Sequence, residues 1–168
     1  MLRRSKLPGK NQNNTKNVQS HTPRNFWMVV CDPASFEVSL DRNFDIYPLS
    51  GEHRRKIQRI EAGDRILFYV NGMKKFPATG HVIRPYQELT ENVWENIETM
   101  GWKYEIGIRT EILLDPEYYI DAYQIAPRLE YVKRWAPEDW PMAFQGNLHL
   151  LPKTDFYLLE DEMKKLDH

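Results

Sequence analysis

The stretch that decides the fold runs from His53 to Val82 and reads HRRKIQRIEAGDRILFYVNGMKKFPATGHV. It joins a short basic helix to the apolar run Ile66–Val70, which is typical of a strand buried on both faces. Ile57 and Ile60 lie three residues apart, so both can face a core while the cationic side chains between and before them project into water. The stretch therefore predicts a basic helix that lies against a buried sheet.

The return strand after Val70 contains two further signals. Asn71-Gly72 favours a hairpin, although Met73–Pro77 make the connection longer than a two-residue turn. Gly80 interrupts the return strand, and glycine within a strand indicates a bulge or a close approach by backbone or ligand.

Flanking segments extend the sheet in both directions. Phe26–Cys31 predicts a first strand, and Asp32-Pro33 predicts the capped start of a helix that ends near Leu40. Residues 42–51 read as irregular, with an extended segment before Pro48. The remaining predicted elements are a helix over 89–100, a strand over 105–114 with Glu105 on the face opposite its isoleucines, turns and an aromatic loop over 121–144, a strand at 148–151 and a C-terminal helix from 152.

Composition indicates one domain in a chain of 168 residues. No apolar run reaches the roughly 18 residues of a membrane helix, and we expect a soluble, cytoplasmic protein. Residues 1–25 contain six basic and no acidic side chains, so the body has a net charge of −7 within a total of −1. We expect 1–25 to be a disordered basic tail and 26–168 to be the single folded domain. The tail is either a non-specific phosphate binder or a solvated extension.

Catalytic and metal motifs are not found in the sequence. The five histidines are scattered, Cys31 lies in an apolar strand as a buried thiol, and no spacing suits zinc, a phosphate loop or a nucleophile elbow. We expect no metal and no cofactor. The acidic run Glu160–Glu162 reads as a solvated helix face.

Aromatic residues are abundant, with five Trp, nine Tyr and seven Phe. Many lie in proline-bounded segments, where they either line a pocket or fill the core. Aromatic walls suit a nucleobase because they stack on its π-face, while cationic side chains hold the adjoining phosphates. This combination favours nucleic acid as the partner.

The order of segments resembles the EVE domain of the PUA-like superfamily, which is related to YTH and ASCH domains. The resemblance covers residues 26 to about 163 and rests on FWMVV followed by DP, on HRRKIQRIEAGDRILFYVNG, on KFPATGHV, and on RLEYVKR and FQGNLHLLPKTDFYLL. It implies an α+β, PUA-like fold, in which a small, strongly bent mixed β-barrel has short helices covering its ends. It also implies a non-catalytic reader of a modified base in DNA or RNA, held in an aromatic cage.

Carried onto this sequence, the resemblance implies a base-binding pocket. Tyr47 takes the place of a cage tryptophan, and Pro48 replaces a serine there. A second wall comes from Trp94 or Trp102, between which the sequence does not choose. Asp32 either faces a base edge or caps the following helix. The other expected contacts are Phe144, Gln145 and Gly146 at the pocket rim and Arg54, Arg55, Lys56, Lys74 and Lys75 on the nucleic-acid backbone.

Two other functions remain open from the sequence. ASCH relatives include hydrolases of modified nucleosides, and Glu88, Thr90 and Lys103 are candidate residues for such chemistry. A small-molecule or protein-binding module, with its aromatic residues in the core, is the third alternative.

Overall fold

The computed structural model describes residues 22–90 and 101–167. Within these ranges one mixed sheet contains seven strands: β1 (Phe26–Cys31), β2 (Ile46–Ser50), β3 (Arg65–Val70), β4 (Lys75–Glu88), β5 (Trp102–Leu113), β6 (Ile120–Asp121) and β7 (Leu148–Leu150). Their order is β2-β5-β4-β3-β1-β7, and β6 pairs with β4. Only β1 and β3 pair in parallel among the strand pairs of the described ranges.

Short helices surround this sheet. The α-helices of the described ranges are α1 (Pro33–Asp41), α2 (Arg54–Ile57), α3 (Ala122–Ile125) and α4 (Lys153–Leu166), and the 3₁₀ segments are Gly51–His53, Pro116–Tyr118, Ala126–Arg128 and Pro137–Phe144. The predicted α+β class is confirmed, with the sheet curled into a half-barrel. Among the described residues, no helix has the length and apolar character needed to cross a membrane.

The parallel strands β1 and β3 separate two hydrophobic cores. Residues of β1 alternate between them, since Met28 belongs to one core and Trp27 to the other, and β3 alternates in the same way with Leu67 and Phe68. A strand whose two faces are both covered needs a continuous apolar run. The run Ile66–Val70 predicted such a strand, and the burial of β3 on both faces confirms it. One core packs against α4, and the second packs against α1 and α2.

The pairing of β4 with β5 is irregular at Gly80. The register between β4 and β5 shifts between Thr79 and Gly80, and a Cβ at Gly80 would lie 2.9 Å from the carbonyl oxygen of Arg109. The predicted bulge and close backbone approach are therefore confirmed. Such irregularities bend a strand and help to curl the sheet.

The expectation for the acidic run was wrong at Glu160. This residue is 3% exposed and forms an ion pair with Arg65 of β3, so the run is not uniformly a solvated face. The helix turns one of its three acids toward the sheet, where Arg65 supplies the compensating charge that burial requires.

Four local predictions differ from the structure. Residues 46–50 form a strand rather than irregular chain, and the basic helix is limited to α2 with its preceding 3₁₀ turn. The aromatic loop contains the 3₁₀ segment Pro137–Phe144, and β4 continues to Glu88. Most of the helix predicted over 89–100 lies outside the described residues.

Candidate nucleic-acid interface

The basic helix presents an exposed cationic surface. Within α2, Ile57 is fully buried, whereas Arg54, Arg55 and Lys56 are exposed. His53, which precedes the helix, is half-buried. Ser50 begins the turn by accepting a hydrogen bond from the Glu52 amide at 3.3 Å. A concavity of about 320 Å³ is lined by Glu52, His53, Arg54, Arg55 and Lys56.

A second concavity adjoins the start of this helix. Ser50 pairs with Trp102, and a Cβ at Gly51 would lie 2.7 Å from the Cδ of Lys103, so the lysine side chain lies over Gly51. The concavity measures about 400 Å³ and is lined by Glu88, Leu89, Trp102, Lys103 and Tyr104. Basic and aromatic side chains therefore meet where β2 ends and β5 begins.

Trp102 is 5% exposed, and its indole Nε1 is buried without a hydrogen-bond partner in the described part of the chain. Buried indole N–H groups usually find an acceptor, because leaving the donor unpaired costs free energy. Trp102 thus lines this concavity with a largely buried aromatic side chain, whose indole donor has no partner in the described ranges.

Strand β7 also contacts the basic helix. Lys56 Nζ donates a hydrogen bond to the carbonyl oxygen of Leu148 at 3.1 Å, which joins α2 to this strand. Burial lowers the pKa of the next residue, His149, and the positive charges of Lys56 and His53 lower it further. The exposed pair Gln145 and Gly146 precedes β7, with Gly146 at a φ of 81°.

Tyr47 lies in the core. It is 2% exposed, and its ring packs edge-on against Phe68 with centroids 5.6 Å apart. Burial raises the pKa of the Tyr47 hydroxyl well above its usual value, with smaller contributions from the neighbouring Cys31 and Asp32. The structure therefore groups Tyr47 with the end of β1, and its role as a cage wall stays a prediction.

Two other expected pocket residues, Asp32 and Phe144, make contacts within the fold, and a third, Trp94, lies outside the described ranges. Asp32 caps α1, accepting hydrogen bonds from the Ser35 amide at 2.6 Å and from its hydroxyl at 3.2 Å. Phe144 is buried and stacks on Tyr69 at 4.6 Å, within the core that packs against α4. Trp94 lies outside the described residues.

Lys74 and Lys75 lie away from the basic helix. Lys74 ends the turn before β4 and Lys75 begins the strand, whereas the Trp102 concavity contains Glu88 at the opposite end of that 14-residue strand. The Lys74 ammonium lies 5.0 Å from the ring centre of Tyr123. Lys75 lines a cleft of about 500 Å³ whose wall includes three acidic residues, Glu117, Asp121 and Glu162.

Glu105 is a buried polar residue that the strand pattern did not reveal. Its Oε1 accepts hydrogen bonds from Gln87 at 2.9 Å and from the hydroxyl and amide of Thr90 at 2.6 and 3.1 Å. Burial pushes the pKa of Glu105 up, but these hydrogen bonds and the charge of Arg84 outweigh it, so the pKa falls below its usual value. Alternation placed Glu105 opposite the isoleucines and gave no sign that other groups cover it.

A metal site is not supported by the described ranges: within 22–90 and 101–167, no three His, Cys, Asp or Glu side chains form a cluster that could hold a metal ion.

Solved structures show the fold relationship. A hypothetical protein from Leishmania major is 15% identical with a TM-score of 0.57, and the match covers 84% of this chain and 96% of that one. The Toxoplasma CPSF4 YTH domain is 12% identical with a TM-score of 0.62, covering 86% and 90%. The YTH domain of Zygosaccharomyces rouxii MRB1, solved with N6-methyladenosine RNA, is 13% identical with a TM-score of 0.58, covering 88% and 92%.

No protein-family model matches the chain, and no curated protein matches its sequence. The chain therefore has a YTH-like α+β fold.

Proposed function

We propose that the protein is a non-catalytic binding module for a modified nucleobase in nucleic acid. The observation that carries this proposal is the junction of the exposed cations of α2 with the Trp102 concavity. The side chain of Lys103 lies over Gly51, between the basic helix and this concavity. The YTH-like fold supports the proposal, since YTH domains with this fold bind N6-methyladenosine.

The base stacks at Trp102 in this proposal. Stacking on an aromatic side chain contributes about 1–3 kcal/mol per base. The sequence resemblance implies Tyr47 as one wall and Trp94 or Trp102 as the other, and we propose Trp102 for that second wall, with Gln145 and Gly146 at the rim.

Methylation favours binding by changing the base edge. A methyl group on an exocyclic nitrogen adds apolar surface and removes one donor, so a water-excluding aromatic wall prefers the modified base. A pocket that reads one methyl group discriminates by about 1–3 kcal/mol.

Phosphates bind the cations beside this wall. Arg54, Arg55, Lys56 and Lys103 are exposed and surround the two concavities. A base in RNA loops or single strands reaches such a site directly, whereas a base in duplex DNA must first be flipped out. We therefore propose an unpaired nucleotide as the ligand.

Fluorescence titration tests the proposal with short single-stranded oligonucleotides that carry one methylated or one plain adenine. We expect tighter binding of the methylated strand and quenching of tryptophan fluorescence, both reduced in Trp102→Leu. Trp140→Leu is the matched control, because Trp140 is half-buried against Tyr123 in a different part of the protein. Equal affinity for the two strands would reject reading of this modification.

Hydrolysis of a modified nucleoside is a second candidate function. Glu88 and Lys103 line the same concavity as Trp102. The Thr90 hydroxyl donates a hydrogen bond to the buried carboxylate of Glu105 in β5. Because the pKa of Glu105 is lowered, its carboxylate is a weak base that suits orientation of the Thr90 hydroxyl rather than proton abstraction. Chromatography after incubation with acylated or alkylated nucleosides distinguishes the two functions, since a reader gives no product.

A further inference from the structure

A row of three rings runs from His149 of β7 through Tyr131 to Trp135, outside the base site proposed above. The Tyr131 hydroxyl is 2.7 Å from His149 Nδ1, and the two ring centres are 5.8 Å apart. The Trp135 ring follows at 6.0 Å from the Tyr131 ring. All three side chains are half-buried, so each keeps part of its surface open to solvent.

The segment that carries this row is held rigidly. Leu129 and Val132 are buried in the core that packs against α4. Asp155, at the start of α4 and 1% exposed, accepts hydrogen bonds from the backbone amides of Glu130 and Tyr131, both at 2.8 Å. A surface ordered in advance loses less conformational entropy when a ligand binds.

Positive charge lies at both ends of the row. Arg134 is exposed, its guanidinium lies 6.0 Å from the Trp135 ring centre, and it has no acidic partner within the described ranges. At the other end, Lys56 of the basic helix contacts β7 at Leu148, beside His149. Lys133 adds no free charge because it pairs with Glu130 at 2.7 Å.

The basic surface has a defined limit. Glu138 and Asp139 begin the 3₁₀ segment that follows Trp135, so the chain turns acidic immediately beyond the row. A polyanion that follows the cations from α2 across β7 therefore meets favourable charge as far as Arg134 and acidic residues beyond it.

We propose that Tyr131 and Trp135 form a stacking platform for a second, unpaired nucleotide of the same strand, with Arg134 binding its phosphate. This inference rests on the proposed function and extends it from one base to a single-stranded segment that crosses β7. Half-exposed aromatic rings interleaved with cations are the arrangement by which proteins hold single strands without reading their sequence. The occupant is therefore a neighbouring nucleotide of any base identity.

The test compares ligands of two lengths with the full chain: a methylated nucleoside monophosphate and a methylated single-stranded seven-nucleotide RNA. In Trp135→Leu we expect affinity for the long strand to fall by about fivefold to a hundredfold, the range that loss of one stacked base implies. Affinity for the monophosphate stays unchanged. Trp140→Leu again serves as the control for loss of a half-buried indole.

Arg134→Ala keeps the inference testable if Trp135→Leu fails to fold, because Arg134 is exposed. We expect this variant to lower the slope of log affinity against log salt for the long strand by about 0.7, the value for one phosphate contact with a single strand. Lys165→Ala, on the exposed surface of α4, is the control with the same charge change.

The outcomes separate the two proposals. Long-strand binding that is weakened by Trp102→Leu but is unaffected by Trp135→Leu and Arg134→Ala overturns the platform and leaves the proposed function standing. Binding of the long strand that depends on Trp135 without any preference for methylation supports the platform and rejects the reader. If the wild-type chain binds neither ligand, both proposals are wrong.

Discussion

Arg65 of β3 and Glu160 of α4 form a buried ion pair that joins the sheet to the C-terminal helix. Both guanidinium Nη atoms face the carboxylate, and the side chains are 9% and 4% exposed. The Arg65 guanidinium also lies 4.8 Å from the ring centre of Phe156, and its Nε donates to the Gly80 carbonyl at 3.4 Å. The pair therefore fixes the helix against the strand at the level of the β4 bulge.

We predict that Glu160→Ala lowers the free energy of unfolding by about 3–5 kcal/mol, because it leaves the Arg65 charge buried and unpaired. The double variant Arg65→Met/Glu160→Leu should recover most of that loss, since apolar side chains of similar volume replace an ion pair at little net cost. Urea unfolding of the single and double variants measures both values. Similar stabilities for the single and double variants would contradict the prediction.

We predict that the salt dependence of binding assigns the phosphate contacts. Arg54→Ala/Arg55→Ala should weaken binding of a single strand by about fivefold per charge at 0.1 M salt and reduce the salt slope by about 1.4. Lys74→Ala/Lys75→Ala should leave both values nearly unchanged, because these lysines lie at the start of β4, at the end of the strand away from the Trp102 concavity. Titration at three salt concentrations decides between the two pairs, which the sequence treats alike.

The sequence predicts those elements whose signals are local. The apolar run of β3 defines a strand covered on both faces, and Gly80 marks a bulge, because strand burial and glycine geometry depend on a few adjacent residues. The basic helix follows from Ile57 and Ile60, which are both buried. These features place the exposed cations of the candidate site correctly.

The remaining features of the fold and of the candidate site depend on residues that are distant in the sequence. Burial of Glu160 requires Arg65, 95 residues away, and the link from Lys56 to β7 spans 92 residues. Aromatic content alone does not separate a pocket wall from a core side chain: Phe144 is buried and stacks on Tyr69, and its role at the pocket rim stays a prediction. No local pattern reports which residues cover a carboxylate such as Glu105.

We predict that acid weakens the fold through its half-buried histidines. Burial lowers the pKa of His149 below the 6.5 expected for an unfolded chain, with Lys56 contributing. Below pH 6.5 the unfolded chain therefore binds more protons, so stability is lost as the pH falls. His149→Gln should keep an acceptor for Tyr131 and flatten the change in unfolding free energy between about pH 5 and pH 7.

Urea titrations at several pH values measure this change. His81→Gln should flatten the profile independently, since burial and the charge of Arg65 lower the pKa of His81 in a separate part of the protein. Identical pH profiles for wild type and His149→Gln would show that this histidine does not couple protonation to folding.

We predict that Cys31 is inert in the folded protein. Burial raises the pKa of its thiol to about 12 from an ordinary 9.0, so only about one thiol in ten thousand is ionised at pH 8. Reaction with a thiol reagent should follow unfolding of β1 and accelerate in denaturant. Fast labelling in buffer alone, at the rate of a free thiol, would contradict this expectation.

We predict that two glycines tolerate alanine very differently. At Gly80 the new Cβ would lie 2.9 Å from the backbone oxygen of Arg109, which cannot move without separating β4 from β5. At Gly51 the nearest atom, 2.7 Å away, is the Cδ of the flexible Lys103 side chain. Gly80→Ala should therefore lower the unfolding free energy by about 1–3 kcal/mol, the usual cost of overpacking.

Gly51→Ala should change the unfolding free energy by less than about 1 kcal/mol, because alanine restricts the unfolded chain while Lys103 rotates away. The same variant should alter nucleic-acid binding, since Lys103 is the cation that connects the basic helix to the Trp102 concavity. Paired urea unfolding and oligonucleotide titration of the two variants measure both effects. If Gly51→Ala destabilises the fold as much as Gly80→Ala, then Lys103 is fixed in place, and the junction between the two concavities is rigid.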